Sequence, residues 1–397
     1  MIDRRRFLAK AAAAGLALGG GGLALGRLGA DDAEAAAGLP SRQHAWNATL
    51  AHDVHGNPVA PRFHRLLFFS VEGKPSGADV RRFEDALRTV ERDHRWGPGG
   101  MLFTAAWGPR YFERTLHRAS PVPKPEALSD FELPTLDDYD LCLHLACDDE
   151  VRTAAVGREL AAVGGALRFR EVRTGFVGAR LPAAHQGVSG IPAGRPVPQS
   201  APLYMGFKSG FRRNQASEDA VTIPAGPLAG GTTMHVSRMR LRLDSWYGVL
   251  DERDRVARMF APQVTPAEVG RFTTDAPSHP GQLTDAARRY GVVGHAQTSA
   301  RARRNGRPLI LRRDFDSTDG EEAGLHFVAL QRTIEDFVKT RKAMNASGTS
   351  FVNPAITDTV NNGINEFIFV THRGNYVIPP RAQRSFPLLP GREAALA

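Results

Sequence analysis

The order of secondary-structure elements is the sequence feature that most limits how this chain folds. In the first half, runs of apolar residues predict four strands, over 64–71, 101–107, 139–146 and 167–174. Apolar residues that recur every three or four positions predict helices over 77–94 and 149–163, the second with Asp148 as its cap. The order β-α-β-β-α-β is that of a ferredoxin-like unit with an antiparallel sheet.

The second half repeats this order without repeating the sequence. Its strands are predicted over 233–241, 290–295, 308–314, 324–331 and 366–378. Helices are predicted over 243–260 and 333–344, and the polar residues 345–362 are predicted to form an inserted loop. We therefore expect an α+β fold built from two ferredoxin-like units with antiparallel sheets.

This pattern divides the chain into four segments. They are a leader over 1–37, an N-terminal arm over 38–61, a first ferredoxin-like unit over 62–190 and a second over 200–390. The proline-rich stretch 191–203 contains the link between the two units. The arm carries His44, His52 and His55, which we interpret as exposed histidines because neither cysteine nor patterned carboxylate accompanies them.

One histidine and one arginine follow consecutive apolar runs in the second unit. His295 comes after the run from Tyr290 to Val293, and Arg312 comes after the run that begins at Pro308. On neighbouring strands, the two side chains can face a common cavity. In a haem peroxidase, such an imidazole ligates iron and such a guanidinium stabilises charge on the peroxide side. In isolation, a lone histidine on an apolar wall is more often a packed core residue.

Several segments around these residues resemble the dye-decolorising peroxidase superfamily. Gly206-Phe207-Lys208-Ser209-Gly210 is similar to the family's Gly-x-x-Asp-Gly segment, with Ser209 at the aspartate position. Three further stretches are similar to later parts of the family, in the family's order: 230–246, 294–327 and 366–380. The last of these matches the family's closing strand and Pro-Pro turn.

The resemblance runs from Arg62 to Pro390. It implies haem b held non-covalently between the sheet and the helices of the second unit. The sequence contains no Cys-x-x-Cys-His motif for covalent attachment of haem. A chlorite-dismutase-like relative shares this architecture and is the alternative, although the leader and the Gly206–Gly210 segment favour the peroxidase branch.

The resemblance also implies roles for individual residues. His295 is implied as the iron ligand, with the Glu366 carboxylate as the partner of its second ring nitrogen. Arg312 is implied on the peroxide side, where it would polarise bound peroxide. Phe207 and Phe327 complete the predicted haem-binding residues.

Alternatives remain open for several of these residues. Glu366 is otherwise an ordinary surface glutamate that opens a strand, and Asp358 is the second choice for the carboxylate. Arg313 should point to the opposite face of its strand from Arg312, and a register error of one residue would exchange their roles. His326 either faces the cavity or is packed in the core.

Ser209 is the departure from the family that bears most on function. The family's aspartate moves a proton between the two peroxide oxygens, and a serine hydroxyl cannot act as a base near neutral pH. Asp314, which returns to the face of Arg312, could take over this role. Alternatively, Arg312 acts with a water relay in a slower peroxidase, or the protein binds haem for another purpose.

The expected function is that of a haem peroxidase that reduces hydrogen peroxide and oxidises bulky organic donors such as dyes or phenolics. The alternatives are a haem-binding or haem-handling protein that has lost peroxidase activity, and a scaffold that no longer binds haem. Members of the family often form homo-oligomers, but no part of this sequence specifies a symmetric interface.

The N-terminus has the features of a twin-arginine export signal. Arg4-Arg5-Arg6-Phe7-Leu8 precedes Lys10, an Ala/Gly/Leu run follows, and small-residue cleavage sites lie within 33–37. The apolar run is rich in glycine and is broken by Arg27, so we do not expect a permanent membrane span. The expected destination is the periplasm, the cell surface or the extracellular medium.

The composition narrows the classes of partner. A formal net charge of +9 favours anionic substrates or anionic cell-surface material, and an arginine-biased genome explains it equally well. No basic helix or repeated aromatic motif indicates nucleic-acid binding. The two cysteines, Cys142 and Cys147, are an odd number of residues apart on a predicted strand. We therefore expect free buried thiols on opposite faces.

Overall fold

The first half of the chain forms a four-stranded antiparallel sheet with two helices. The computed structural model describes residues 38–211, 214–269, 280–346 and 352–396, so the predicted leader 1–37 lies outside the described residues. The elements are β1 (Phe63–Val71), α1 (Gly77–Asp93), β2 (Leu102–Trp107), β3 (Leu141–Cys147), α2 (Glu150–Ala161) and β4 (Leu167–Phe176). The strand order is β4-β1-β3-β2, as a ferredoxin-like unit requires.

The second half forms a sheet of the same topology with more helices. Its elements are β5 (Thr232–Leu241), α3 (Leu243–Gly248), α4 (Glu252–Met259), α5 (Pro280–Tyr290), α6 (His295–Ser299), β6 (Ile310–Arg312), β7 (Phe315–Ser317), β8 (Gly324–Gln331), α7 (Ile334–Met344), β9 (Ile368–Ile378) and α8 (Arg392–Leu396). Strands β6 and β7 both pair with β8, so they are two parts of one interrupted strand. The order β9-β5-β8-β6/β7 repeats that of the first sheet, which confirms the predicted fold class.

The two sheets join edge to edge rather than remaining separate. Strand β2 meets β9 at Trp107 and Val377, and β4 meets β7 at Phe176 and Asp316. The joined strands therefore close on themselves. One buried cluster draws residues from both sheets, including Leu66, Phe68, Val236, Val328 and Tyr376. Neighbouring residues such as Leu67 and Phe69 face the other way and pack with helix α1, because side chains alternate along a strand.

Helix α1 was predicted to within one residue, and signals in its own sequence explain why. The Ser76 hydroxyl accepts from the Asp79 backbone N–H while the Asp79 carboxylate accepts from the Ser76 N–H, which forms a capping box. The apolar face of α1, which includes Val80, Phe83 and Leu87, is fully buried against the sheet. These residues follow the three-and-four spacing from which the helix was predicted.

Three predictions for the second unit are wrong in detail. The predicted strand 290–295 does not form, because α5 ends at Tyr290 and α6 begins at His295. The predicted helix 243–260 is divided, since α3 ends at Gly248 and Asp251 caps a new helix by accepting from the Asp254 N–H at 2.8 Å. The predicted strand 308–314 is interrupted after Arg312. A short apolar run does not distinguish a strand from a buried helical turn, which accounts for the first error.

The N-terminal arm packs on the folded units. The indole of Trp46 is 1% exposed, and the backbone N–H groups of Trp46 and Asn47 donate to the Glu218 carboxylate. His44 is buried and bonded to Thr222, contrary to the prediction, whereas His52 and His55 are exposed as predicted. A buried arm of this kind restrains the chain that precedes β1.

Two further sequence-based expectations concern cysteines and membranes. Cys142 and Cys147 are free and buried, and they belong to different apolar clusters on opposite faces of β3, as predicted. Within the described ranges, no helix combines the length and the apolar character that crossing a bilayer requires.

Candidate functional site

A cavity lies between the sheet of the second unit and its helices. It encloses about 1160 Å³ that protein atoms do not fill, part of it open to solvent. Strands β5 to β9 provide one wall, helices α4, α6 and α7 provide another, and the 203–211 loop closes one end. This is the part of the second unit in which the sequence predicted a haem site.

His295 projects into this cavity from the first turn of α6. The preceding Val293 exchanges backbone hydrogen bonds with the 361–363 loop, which holds the start of the helix in place. A side chain at Gly363 would place its Cβ 2.9 Å from the backbone nitrogen and Cα of His295. Only glycine fits this close approach, and its φ of +58° is a conformation that glycine adopts without strain.

The imidazole of His295 has no hydrogen-bond partner among the residues that the structure describes. Burial, together with the charges of Arg312 and Arg341, lowers the pKa of His295 to about 3. The ring is therefore neutral at physiological pH and retains an unshared electron pair. A neutral imidazole is the form that binds a metal ion.

Arg312 ends strand β6 and is held at both its backbone and its guanidinium. Its backbone N–H donates to Gln215 Oε1 at 2.6 Å, and its Nη2 donates to the Ser209 carbonyl at 2.5 Å. The buried Nε is left without a partner within the described part of the chain. Burial lowers the pKa of Arg312, and the Asp314 carboxylate opposes this effect. The site thus contains a cation whose Nε–H is free to donate.

Ser209 and Asp314 form a side-chain hydrogen bond in the same cavity. The Ser209 hydroxyl donates to Asp314 Oδ2, and the Val328 backbone N–H donates to Asp314 Oδ1 at 3.0 Å. Burial raises the pKa of Asp314 to about 6, while Arg312 and these two hydrogen bonds limit the increase. A carboxyl group with such a pKa can accept and return a proton near neutral pH.

Alternation along the interrupted strand sets which residues face the cavity. Arg312, Asp314 and Asp316 all line it, whereas Arg313 points to the opposite face. There the Arg313 guanidinium lies 3.8 Å from the centre of the Trp46 ring and 3.2 Å from Glu218. The predicted face of each arginine is therefore confirmed.

Asp316 is a cavity residue that the sequence reasoning missed. It is fully buried, its Oδ2 accepts from the Tyr204 N–H at 2.6 Å, and its Oδ1 has no partner in the described structure. Burial and the neighbouring Asp314 raise the pKa of Asp316 well above its usual value. Its position two residues after Asp314 on one strand was the signal that could have identified it.

Two buried arginines that line the cavity were also missed. Arg373 forms two hydrogen bonds with the Glu132 carboxylate, at 2.9 and 2.8 Å, and Arg341 lies 3.7 Å from the same carboxylate. The Nε atoms of both arginines have no partner within the described ranges. Arg341 follows Phe337 by one helical turn, and an arginine on an apolar helix face was the available signal.

The remaining predicted residues divide into two groups. Phe207 and Phe327 line the cavity. Glu366 does not line it, and no hydrogen bond joins its carboxylate to His295 in the described structure, contrary to the predicted pairing. Asp358, the second choice, is exposed. His326 is packed away from the cavity, 3.0 Å from Asp319.

The sequence matches one protein family over most of its length. The family is described as a family of unknown function, DUF7405, and the match covers residues 61–380. The chain belongs to this family. No curated protein gives a significant match.

Several solved structures are similar in fold to this DUF7405 chain. A DyP-type peroxidase from Cellulomonas bogoriensis is 20% identical, with a TM-score of 0.58 over 81% of this chain and 90% of that one. A variant of DypB from Rhodococcus jostii RHA1 in complex with heme is 14% identical, with a TM-score of 0.59 over 87% and 98%. A dye-decolorizing protein from V. cholerae is 14% identical, with a TM-score of 0.55 over 86% and 99%. The DUF7405 chain thus shares the fold of DyP-type peroxidases.

The residues of the DUF7405 cavity fit a haem group. Among the described residues, no cluster of three or more histidine, cysteine, aspartate or glutamate side chains could hold a metal ion. The cavity offers one neutral imidazole without a protein partner, walls rich in phenylalanine and methionine, and unpartnered guanidinium nitrogens on Arg341 and Arg373. An apolar macrocycle with an iron centre and anionic edges has matching chemistry.

Proposed function

We propose that this protein is a haem b peroxidase that reduces hydrogen peroxide at the expense of an organic electron donor. The observation that carries the proposal is the neutral His295 imidazole, which has no hydrogen-bond partner among the described residues. It lies in the same cavity as Arg312 and the hydrogen-bonded Ser209–Asp314 pair. These are an iron ligand, an electrostatic stabiliser and an acid–base group. The shared fold with DyP-type peroxidases supports the same function.

Each residue has a part in holding the cofactor. His295 would ligate the iron through its free ring nitrogen. Phe207 and Phe327 would contact the macrocycle, since both belong to the apolar lining. Arg341 and Arg373 would balance the negative charge of the haem carboxylates, because both line the cavity and their Nε atoms lack partners among the described residues. Haem, when bound, would supply the redox chemistry, and the organic donor would supply the two electrons that reduce peroxide.

Arg312 and Asp314 would handle the charge and the proton of the peroxide. The overall reaction joins one hydrogen peroxide, two protons and two donor electrons to give two water molecules. Asp314 would accept a proton from one oxygen of the peroxide and return it to the other oxygen, which then leaves as water. Arg312 would stabilise the negative charge that develops while the O–O bond breaks.

The Ser209–Asp314 hydrogen bond favours the interpretation in which Asp314 replaces the family's aspartate. Ser209 alone cannot act as a base, but its hydroxyl orients the carboxylate of Asp314 and lowers its pKa. Arg312 is tied to the same segment through the Ser209 carbonyl. The three residues therefore form one connected group at the peroxide side.

A second candidate function is haem binding without peroxidase activity. The observation that favours it is that both Asp314 oxygens already accept hydrogen bonds, from Ser209 and from the Val328 backbone. A carboxylate held in this way could serve mainly as a hydrogen-bond acceptor for the backbone beside the interrupted strand. In the described structure, Glu366 also does not form the hydrogen bond to His295 that would increase electron donation by the ligand.

The setting of the reaction follows from the sequence. We propose export of the folded protein by the twin-arginine route, to the periplasm, the cell surface or the extracellular medium. Bulky organic donors such as dyes or phenolics are the proposed reductants, and a homo-oligomer is the proposed assembly.

The test is reconstitution of the purified protein with haem. We expect a Soret band that His295→Ala abolishes and that His55→Ala, an exposed histidine in the arm, leaves unchanged. We also expect decolorisation of a dye with added peroxide. Failure of the wild-type protein to bind haem would rule out both candidates, whereas a normal Soret band without dye oxidation would select the second.

A further inference from the structure

A second cavity lies beneath the N-terminal arm and adjoins the first. It encloses about 1000 Å³, and arm residues such as Trp46, Leu50 and Pro58 line one side of it. The two cavities share five lining residues, which are Leu203, Lys208, Ser209, Arg312 and Asp314. The group assigned to the peroxide side therefore separates two chambers.

The second cavity extends from the protein surface to this group. Val59, 44% exposed, and the exposed Ala179 lie among its outer residues. His64 and Asp314, both buried, lie at its inner end. A solute could thus reach Asp314 from solvent without passing between the helices that flank His295.

The walls of this cavity do not select for charge. The Lys208 ammonium lies 3.0 Å from the Asp53 carboxylate, and Arg313 is paired with Glu218 at 3.2 Å. Burial lowers the pKa of His64 to about 4, so this ring is neutral. Because Lys208 and Arg313 are each paired with a carboxylate and the arm side is largely apolar, the outer part of the cavity suits a small uncharged solute.

We propose that the second cavity is the access path for hydrogen peroxide and that the Lys208–Asp53 pair limits its width. The proposal rests on the proposed peroxidase function and specifies which substrate uses which chamber. Lys208 lines the path from the 203–211 loop, and its ion pair with Asp53 ties this loop to the arm that forms the other side.

A matched pair of variants tests the path. Val59→Trp places a large ring at the rim, whereas Val54→Trp makes the same change at a position on the arm that is 95% exposed and does not line the cavity. Cyanide binding to the ferric haem protein, followed by stopped-flow absorbance, reports access without catalysis. We expect Val59→Trp to slow both cyanide binding and the reaction with peroxide about tenfold, because the ring adds a small barrier to entry of the solute. The Soret band and the KM for the organic donor should be unchanged.

A second variant tests the role of the ion pair. Lys208→Met keeps most of the side-chain bulk but removes the link to Asp53, so we expect the rate with cumene hydroperoxide to rise severalfold relative to that with hydrogen peroxide. Absence of a Soret band in the wild-type protein would overturn both proposals. A normal Soret band with equal cyanide rates in Val59→Trp and Val54→Trp would overturn the access path alone.

Discussion

The hydroxyl of Ser209 donates a hydrogen bond to the carboxylate of Asp314, although the two residues are 105 positions apart in the sequence. The same carboxylate has a pKa of about 6, because burial raises it and the hydrogen bond limits the increase. The serine at the position where the resemblance implies an aspartate thus lies beside another aspartate, whose pKa suits proton transfer. This relationship leads to the first three predictions.

Asp314→Asn should slow the reaction of the haem-loaded protein with peroxide about 10²–10⁴-fold, the usual contribution of a general acid–base group. Asparagine retains an oxygen that can accept from the Val328 N–H, so the fold and haem binding should be preserved. Single-turnover stopped-flow measurements and the Soret band are the readouts. An unchanged rate would show that Asp314 has only a structural role and would favour haem binding without peroxidase activity.

Ser209→Ala should move the pH dependence of the same reaction. The base form of Asp314 is the active form, so the rate should rise with pH through about 6 in the wild-type protein. Loss of the Ser209 hydrogen bond removes an interaction that lowers the pKa of Asp314, and the rising limb should move to higher pH. A limb at the same pH in the wild type and the variant would mean that another group titrates.

Asp314→Asn should also stabilise the protein above pH 6. The folded pKa of about 6 lies above the ordinary 3.8, so the folded state binds this proton more tightly than the unfolded state. The resulting stability is present below about pH 4 and is lost as pH rises to about 6. The variant should therefore gain about 1–3 kcal/mol over wild type at pH 7.5 and gain nothing at pH 4. Urea unfolding at both pH values measures this, and an equal gain at both would point to packing instead.

Glu132→Gln should destabilise the fold by about 3–5 kcal/mol, because it leaves buried charge uncompensated. The Glu132 carboxylate is fully paired with Arg373 and lies near Arg341, and all three are buried. The matched control is Glu72→Gln, which breaks exposed ion pairs with Arg168 and Arg170 and should cost less than about 1 kcal/mol. Equal unfolding midpoints for the two variants would contradict the assigned difference in burial.

Local periodicity was sufficient to predict most of the fold. The predicted helix 77–94 is observed over Gly77–Asp93, because both its capping box and its apolar face are encoded by neighbouring residues. The prediction from local periodicity was wrong around His295, where a short apolar run between two helices resembles the pattern of a strand. The histidine itself was nevertheless identified, since the resemblance depends on residue identity and order rather than on conformation.

The sequence by itself determined the two repeated units, the face of each residue along the interrupted strand, and the candidate roles of His295, Arg312 and Asp314. Only the tertiary structure decided which distant groups meet. It joined Ser209 to Asp314 and Arg373 to Glu132, placed the arm over a second cavity, and left Glu366 unpaired with His295. The physical reason is that strand alternation and helical periodicity arise from nearby residues. Burial, pKa shifts and hydrogen bonds across the cavity instead depend on contacts between segments a hundred or more residues apart.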